Sequence, residues 1–349
     1  MGQSRVYKWD NLKVFMIIGI VLEHSLIIYN YPRNLELIWA GFISCLMPLF
    51  TLISGYWHKP KAVQMQVKSY LKPMFLFSGV NFAIGYIFYP AYHSGFHFVG
   101  YAMWYFGALF VFSIVSPYLL RFVRLRLLLL LSMFLVFLFC LFPAVGRWES
   151  LLKELQINRL VGFYPFYILG ICIRRYEKEI RAFVKPVSAK YLLLITFVVY
   201  LFLCYRVEGL AYKSAFYLTT GSSLSLLLQW LISYLFITII SLALVFIVKD
   251  KEYFFTKYGA RSITVYALHM LIVFPLSWGL FFNLPHTPSY ELLNAVLVSA
   301  LGLFLFNKRI HNLVDQLLKI PMSGAILIYI ASFLLVNYSF IAKIVHTYV

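Results

Sequence analysis

Eleven apolar runs occupy most of this 349-residue sequence. They lie at 11–31, 35–57, 73–92, 101–120, 127–143, 159–173, 191–205, 224–248, 263–283, 292–306 and 323–345. About 20 apolar residues in a helix cross the hydrocarbon core of a bilayer. Because the chain is also 62% hydrophobic, little of it remains for a soluble domain. The sequence therefore predicts an all-α, polytopic transmembrane helical bundle of roughly 10–11 spans, with residues 1–349 forming one integral membrane domain.

The distribution of basic residues predicts the orientation of the chain. The net charge of +18 comes from 30 Lys and Arg against 12 Asp and Glu. Most of the 30 fall in connections on the same side as the N-terminus, namely 1–13, 57–72, 121–126, 174–190, 248–261 and 307–320. Since cytoplasmic connections carry the excess of Lys and Arg, we expect a cytoplasmic N-terminus in a multi-pass protein of the cell membrane. The charge then indicates contacts with membrane lipids, not with nucleic acid.

The polar connections are of two kinds. Segments 174–190 and 307–319 have the pattern of short amphipathic helices at the membrane interface. Connections 144–158 and 206–223 are longer and fall on the opposite side, where they would form a rim over an outward-facing site. We therefore expect one bundle without a flexible linker.

The cysteines give no sign of a metal site or of a disulfide framework. All four fall within or at the edge of apolar runs, without paired spacing: Cys45, Cys140, Cys172 and Cys204. We expect them to be small buried hydrophobic residues, and we expect no bound metal.

The first apolar run carries ionisable side chains that are costly inside a membrane. Lys13 and His24 are eleven residues apart, which places them on one helix face, about 16 Å apart along the axis. Such a face suits a ligand with an anionic head and a thin reactive tail. Glu23 projects about 100° away from His24. Each residue also has a structural interpretation: Lys13 as a side chain that snorkels to the headgroups, His24 as a satisfied core histidine, and Asp10 as a helix N-cap.

A second deep histidine occurs in the ninth run. His269 follows Arg261 by eight residues, a rise of about 12 Å along a helix. Two imidazoles, His24 and His269, are therefore expected at comparable depth on different helices, each above a basic residue. A single buried histidine is usually structural, but this repeated arrangement favours one shared cavity.

Five segments in order resemble the acyltransferase-3 family of membrane acyltransferases, in its branch related to fucose 4-O-acetylases. The first is "DNLKVFMIIGIVLEH" at 10–24, where Lys13 takes the position of an arginine, and His24 that of a histidine, in the family's opening motif. The others are "ISGYWHKP" at 53–60, "MWYFGALF" at 103–110, "FYPFYILGICIRR" at 163–175 and "YGARSITVYALH" at 258–269. Glu23 departs from the branch, which commonly has glycine at this position.

The resemblance implies an O-acetyltransferase. Its acyl donor would be cytosolic acetyl-CoA, and its acceptor a hydroxyl of a cell-envelope polysaccharide or of a lipid-linked saccharide precursor. The phosphates of CoA need cations, and the candidates on the inner side are Lys13, Arg261, Arg174 and Arg175. Trp104 and Tyr105, in the third matching segment, are candidates for contact with the substrate.

The catalytic candidates follow from the chemistry of acyl transfer to an alcohol. A hydroxyl near neutral pH is a poor nucleophile and needs a base of matched pKa, which an imidazole provides. His24 is the candidate general base. A transient acyl group on His24 is a less favoured route. His269 would orient the thioester or the acceptor, and Glu23 would tune the cavity.

A transporter is the alternative from another functional class. In a proton-coupled transporter or flippase of a glycan, lipid or metabolite, the same three side chains would form a proton relay: Glu23, His24 and His269. The two halves of the sequence show no evident repeat, which counts modestly against transporters built from inverted repeats. The residues alone leave both classes open, and the family resemblance favours the enzyme.

Overall fold

A computed structural model describes residues 6–26, 44–88, 98–100, 102–141, 155–207, 224–280 and 287–348. Every regular element within these residues is helical, which confirms the all-α class. The α-helices of seven or more residues are α1 (Tyr7–Leu26), α2 (Leu46–Tyr56), α3 (Lys72–Phe88), α4 (Trp104–Leu119), α5 (Leu125–Leu141), α6 (Ile157–Arg175), α7 (Glu177–Phe183), α8 (Pro186–Arg206), α9 (Leu224–Ile247), α10 (Ser262–Leu268), α11 (Pro288–Phe304), α12 (Lys308–Leu317) and α13 (Met322–Tyr348). The other elements are the short α-helices Val63–Gln66, Thr256–Gly259 and Met270–Val273 and the π-helical segments Val67–Leu71 and Phe274–Leu280.

Each of the eleven apolar runs overlaps one of these helices. Within the described part of the chain, three stretches are long and apolar enough to cross a membrane: Val63–Phe88, Pro186–Arg206 and Leu228–Ile247. A fourth passes as the pair Leu293–Phe304 and Lys308–Leu317, which meet at a bend of 71°. These helices indicate a membrane protein, while the larger span count, the cytoplasmic N-terminus and the single domain stay predictions.

The expectations for the connections and cysteines have different outcomes. Both amphipathic segments contain a helix, α7 and α12. The rim connections 144–158 and 206–223 lie mostly outside the described residues. Buried free thiols are found, as expected, at three positions, and the side chain of Cys140 falls outside the described part: Cys45, Cys172 and Cys204.

The described helices divide into two compact units. Unit 1 comprises Met1–Met16, Tyr31–Pro60 and Val111–Gly259. In it, α2 packs closely against α6, since a methyl group on Gly55 would overlap the Tyr167 carbonyl and one on Gly170 the Leu52 carbonyl. Small residues at helix crossings are typical of membrane proteins, because close backbone approach increases van der Waals contact.

Unit 2 comprises Ile17–Asn30, Lys61–Phe110 and Ala260–Val349. In it, α3 packs against α13. The ring of Tyr329 on α13 contacts Phe75 on α3 at 5.1 Å, and its hydroxyl donates a 2.6 Å hydrogen bond to the Phe98 carbonyl. This bond also fixes the described residues that precede α4.

The start of α1 corrects one prediction. The helix begins at Tyr7, so Asp10 is its fourth residue and does not occupy the N-cap position. The carboxylate of Asp10 instead forms an ion pair with Lys13 at 3.3 Å. An orphan backbone N–H of the first turn, that of Lys8, donates to the carboxylate of Asp250 at 3.2 Å. A residue distant in sequence thus supplies a bond that the N-cap assignment gave to Asp10.

Candidate active site

Unit 2 brings together the two deep histidines of the sequence. The ring centroids of His24, in the last turn of α1, and His269, directly after α10, are 5.1 Å apart. Their planes differ by 25°, a stacked arrangement. His269 is fully buried and His24 is half-buried. At this separation the two rings contact each other directly, although they come from segments distant in sequence.

A hydrogen bond to the backbone sets the tautomer of His269. Its Nδ1 lies 2.7 Å from the carbonyl oxygen of Tyr266. Since a carbonyl only accepts, Nδ1 carries the proton, and in the neutral ring Nε2 carries the lone pair. This Nε2 is buried and has no hydrogen-bond partner among the residues that the structure describes. A buried acceptor nitrogen of this kind favours a ligand that can donate a hydrogen bond to it, such as a hydroxyl.

Tyr266 links the histidine pair to the loop before α4. Its ring lies 5.8 Å from that of His269, and its hydroxyl donates to the carbonyl of Ala102. Ala102 is buried and has φ = 66°, a left-handed conformation that is uncommon for a residue other than glycine. A strained backbone conformation of this kind persists where the surrounding structure holds it in place, and such residues cluster at functional sites.

The two aromatic candidates for substrate contact belong to the same unit. Tyr105 lies 5.6 Å from the ring of Tyr266, and Trp104 lies 5.9 Å from Tyr105. Both side chains are buried. The structure therefore connects Tyr105 to His269 through one intervening ring, whereas Trp104 is a further contact away.

Glu23 precedes His24 on α1 and is half-buried. Successive residues on a helix project about 100° apart, so the carboxylate and the imidazole leave α1 in different directions. The stacked partner of His24 is thus His269 and not its sequence neighbour.

A buried polar chain lies beside His24 in the same unit. The side chain of Asn294 on α11 donates from Nδ2 to the carbonyl of Ser25 at 3.1 Å. The hydroxyl of Ser277 donates to Oδ1 of Asn294, also at 3.1 Å. All three residues are fully buried. The chain therefore joins α1, α11 and the π-helical segment next to the histidine pair.

The four candidate cations are divided between the units. Arg261, directly before α10 in unit 2, donates from Nη1 to the Phe306 carbonyl at 2.7 Å. In unit 1, Lys13 is paired with Asp10, Arg174 donates to backbone carbonyls, and Arg175 is exposed. The residues that accept from Arg174 are Tyr56, at 3.2 Å, and His58, at 3.5 Å.

Unit 1 also contains a charge cluster that the sequence analysis did not single out. The ammonium of Lys8 lies 3.7 Å from the carboxylate of Glu177 and 4.3 Å from the ring centroid of Trp9. Glu177 also accepts from Arg181 at 2.7 Å and from the Tyr56 hydroxyl at 2.6 Å. Burial lowers the pKa of Lys8, and the charge of Arg181 lowers it further.

The pKa of Glu177 results from opposing effects. Burial by itself would raise this pKa, but hydrogen bonds from Tyr56 and Arg181, together with the charge of Lys8, lower it below its ordinary value. Glu177 therefore stays ionised and neutralises part of the positive charge around it.

Two signals in the sequence could have pointed to the missed residues. Asn294 and Ser277 are polar positions within apolar runs, where an unpaired polar group would be costly. Tyr266 precedes His269 by three residues and therefore lies near it on a helix face. Neither signal names a partner, because the partners of Asn294 and Tyr266 lie on segments distant in sequence.

A comparison with known protein families gives a match over nearly the whole chain. The family model described as an acyltransferase domain matches residues 6–336. No match was found among curated proteins or among solved structures. The family match supports acyl transfer, and it gives no support to the transporter alternative.

Proposed function

The chain belongs to the acyltransferase-3 family, and from this premise we propose that it is an O-acetyltransferase of the cell membrane. Its apolar helices and its family indicate a membrane acyltransferase. We infer that the acetyl group comes from cytosolic acetyl-CoA and passes to a hydroxyl of a cell-envelope polysaccharide or its lipid-linked precursor. The motifs similar to fucose 4-O-acetylases support a saccharide acceptor. The observation that carries the proposal is the stack of His24 on His269.

His24 is the proposed general base. It accepts the proton of the acceptor hydroxyl while the hydroxyl oxygen bonds to the acyl carbon, and it returns that proton to the sulfur when the carbon–sulfur bond breaks. His24 is half-buried and stacks on a fully buried partner ring. A positioned base of this kind typically contributes about 10²–10⁴ in rate.

His269 is the proposed orienting residue. Because its Nδ1 proton is bonded to the Tyr266 carbonyl, its Nε2 is an acceptor. An acceptor can align a hydroxyl but cannot donate to a thioester carbonyl. The tautomer therefore favours contact with the acceptor substrate over contact with the acyl donor. In this proposal the oriented hydroxyl would lie next to His24. Glu23 would adjust the charge near this pair.

The candidate cations would hold the phosphates of the acyl donor. Lys13 is 27% exposed and forms an ion pair with Asp10 at 3.3 Å, a geometry that a phosphate can compete with. Arg261 and Arg174 are anchored on backbone carbonyls, so their charges are fixed in place, and Arg175 is exposed. Trp104 and Tyr105 would form part of the acceptor site.

The test uses the purified protein in nanodiscs and in oriented vesicles. Acetyl-CoA should bind more tightly than acetyl-CoA that lacks the 3′-phosphate, since a phosphate-binding cation contributes to affinity. When a membrane saccharide fraction is supplied, free CoA should be released and label from acetyl-CoA should enter the saccharide. In vesicles, acetyl-CoA should work only from the side that carries the basic connections.

A negative result can be interpreted because folding is measured separately. If a protein with a cooperative thermal transition binds no CoA thioester and transfers no acetyl group, the proposed donor is wrong. If a pH gradient then drives solute uptake that depends on Glu23 and His24, the transporter alternative replaces the enzyme.

A further inference from the structure

The C-terminal end of α1 has backbone carbonyls that the helix cannot satisfy itself. In an apolar environment each such carbonyl needs another donor. One of them belongs to Ser25, the residue directly after His24, and Asn294 supplies its hydrogen bond from α11 at 3.1 Å. Since both residues are fully buried, water is not placed to replace this bond. Asn294 therefore fixes the peptide unit adjacent to the catalytic candidate.

The amide of Asn294 is itself oriented by a second residue. A side-chain amide has one donor end and one acceptor end, and it satisfies the Ser25 carbonyl only with Nδ2 turned toward α1. The hydroxyl of Ser277 donates to Oδ1 at 3.1 Å and so selects this orientation. Ser277 lies in the π-helical segment Phe274–Leu280, which follows His269 on the same stretch of chain. The two histidine-bearing stretches are thus joined by a hydrogen-bonded chain as well as by the ring stack.

We propose that Asn294, oriented by Ser277, is a positioning residue for His24. Its hydrogen bond holds the last turn of α1 in the rotation and height at which the His24 ring stacks on His269. This inference rests on the proposed function for its activity readout. Asn294 acts on the backbone beside His24, through its hydrogen bond to the Ser25 carbonyl. Its loss should therefore lower turnover without changing the affinity for acetyl-CoA.

The principal test compares Asn294→Leu with Asn337→Leu. Asn337 is also a fully buried asparagine of unit 2, but its Nδ2 donates to the Phe333 carbonyl within its own helix, α13. We expect Asn294→Leu to lower kcat roughly 10- to 100-fold, since a misplacement of about 1 Å can cost that much, with KM for acetyl-CoA unchanged. Asn337→Leu should retain kcat. Equal kcat for Asn294→Leu and wild type, or equal losses in both variants, would refute the positioning role.

A second pair of measurements separates positioning from simple destabilisation. Ser277→Ala should lower kcat by a smaller factor, and the double variant with Asn294→Leu should be no slower than Asn294→Leu alone, because Ser277 acts through the amide. Independent, multiplying losses would overturn this coupling. If Asn294→Leu does not fold, the kcat of Ser277→Ala is compared with that of the control Asn337→Leu instead. An unchanged kcat in Ser277→Ala then rejects the proposal.

A readout without catalysis distinguishes failure of this inference from failure of the proposed function. Diethyl pyrocarbonate modifies accessible imidazoles, and peptide mass spectrometry measures the rate at His24. Release of the stack should make His24 react several-fold faster in Asn294→Leu and at the wild-type rate in Asn337→Leu. If wild type transfers no acyl group but this difference appears, the positioning stands and the enzyme assignment fails. An unchanged rate in Asn294→Leu rejects the positioning.

Discussion

The histidine pair allows a substitution that keeps the ring and removes its nitrogens. His269→Phe replaces a fully buried imidazole with another flat ring, so the stack on His24 is retained. The variant loses the Nδ1 bond to Tyr266 and the Nε2 acceptor. If His269 orients the acceptor hydroxyl through Nε2, this change should impair acyl transfer although the packing of the pair is kept.

The expected magnitudes follow from the hydrogen bonds involved. Loss of the neutral Nδ1 bond should lower the free energy of unfolding by about 1 kcal/mol. Loss of a hydrogen bond to a hydroxyl that becomes charged in the transition state is worth about 1.5–3 kcal/mol, or roughly a 10- to 150-fold lower kcat. His24→Ala, which removes the base itself, should cost about 10²–10⁴. His24 should therefore be the more sensitive position.

The assay measures release of CoA thiol and entry of labelled acetyl groups into saccharide, with thermal unfolding recorded on the same samples. His311→Phe is the matched control. His311 belongs to the same unit, and its Nδ1 lies 2.7 Å from the Thr264 hydroxyl, but it lies outside the stacked pair. It should lose a similar amount of stability with near-normal kcat.

The double variant His24→Ala/His269→Phe completes the cycle. When two residues act on the same hydroxyl, their effects are not additive, so the double variant should be about as slow as His24→Ala alone. Wild-type kcat in His269→Phe, or losses that multiply in the double variant, would refute the shared role of the pair.

Three further predictions concern other parts of the molecule. Lys13→Ala should weaken acetyl-CoA binding several-fold and Lys13→Arg should preserve it, because a phosphate needs a cation there; equal affinities in isothermal titration would exclude this role. Glu177→Gln should lower Tm by a few degrees at pH 7, because the folded state lowers the pKa of Glu177 from 4.5 and is therefore stabilised by its ionised form. The difference in Tm between wild type and variant should disappear as the pH falls through the lowered pKa. Gly170→Val should destabilise unit 1 by about 1–3 kcal/mol through overlap with Leu52, measured as loss of Tm, whereas unchanged stability would contradict the close α2–α6 crossing.

The helices and the proximity of the two histidines could be predicted from local sequence patterns. Apolar runs of sufficient length predict helices because the membrane requires internally satisfied backbone, and all the predicted runs overlap helices in the structure. His24 and His269 were expected to lie near one another from their depth above Lys13 and Arg261. The structure places the rings 5.1 Å apart, while their catalytic roles stay predictions.

The errors and omissions have a common physical cause. Asp10 has the residue type of an N-cap, but Trp9 is buried and Asp250 accepts from the Lys8 backbone, so packing and a distant carboxylate determine where α1 begins. Asn294 likewise satisfies a carbonyl 269 positions away in sequence. A single sequence indicates which polar groups need a hydrogen-bond partner. Which residue becomes the partner over such sequence separations depends on how the helices pack.

The π-helical segment Phe274–Leu280 affects how this chain should be aligned with its relatives. A π turn accommodates an extra residue relative to an α-helical turn. A relative with an uninterrupted α-helix here would therefore need a one-residue gap within 274–280. An alignment without that gap would shift every later position by one residue, or about 100° around the helix. Ser277 would then be matched to a residue on another face, and a conserved hydroxyl would look like a variable one.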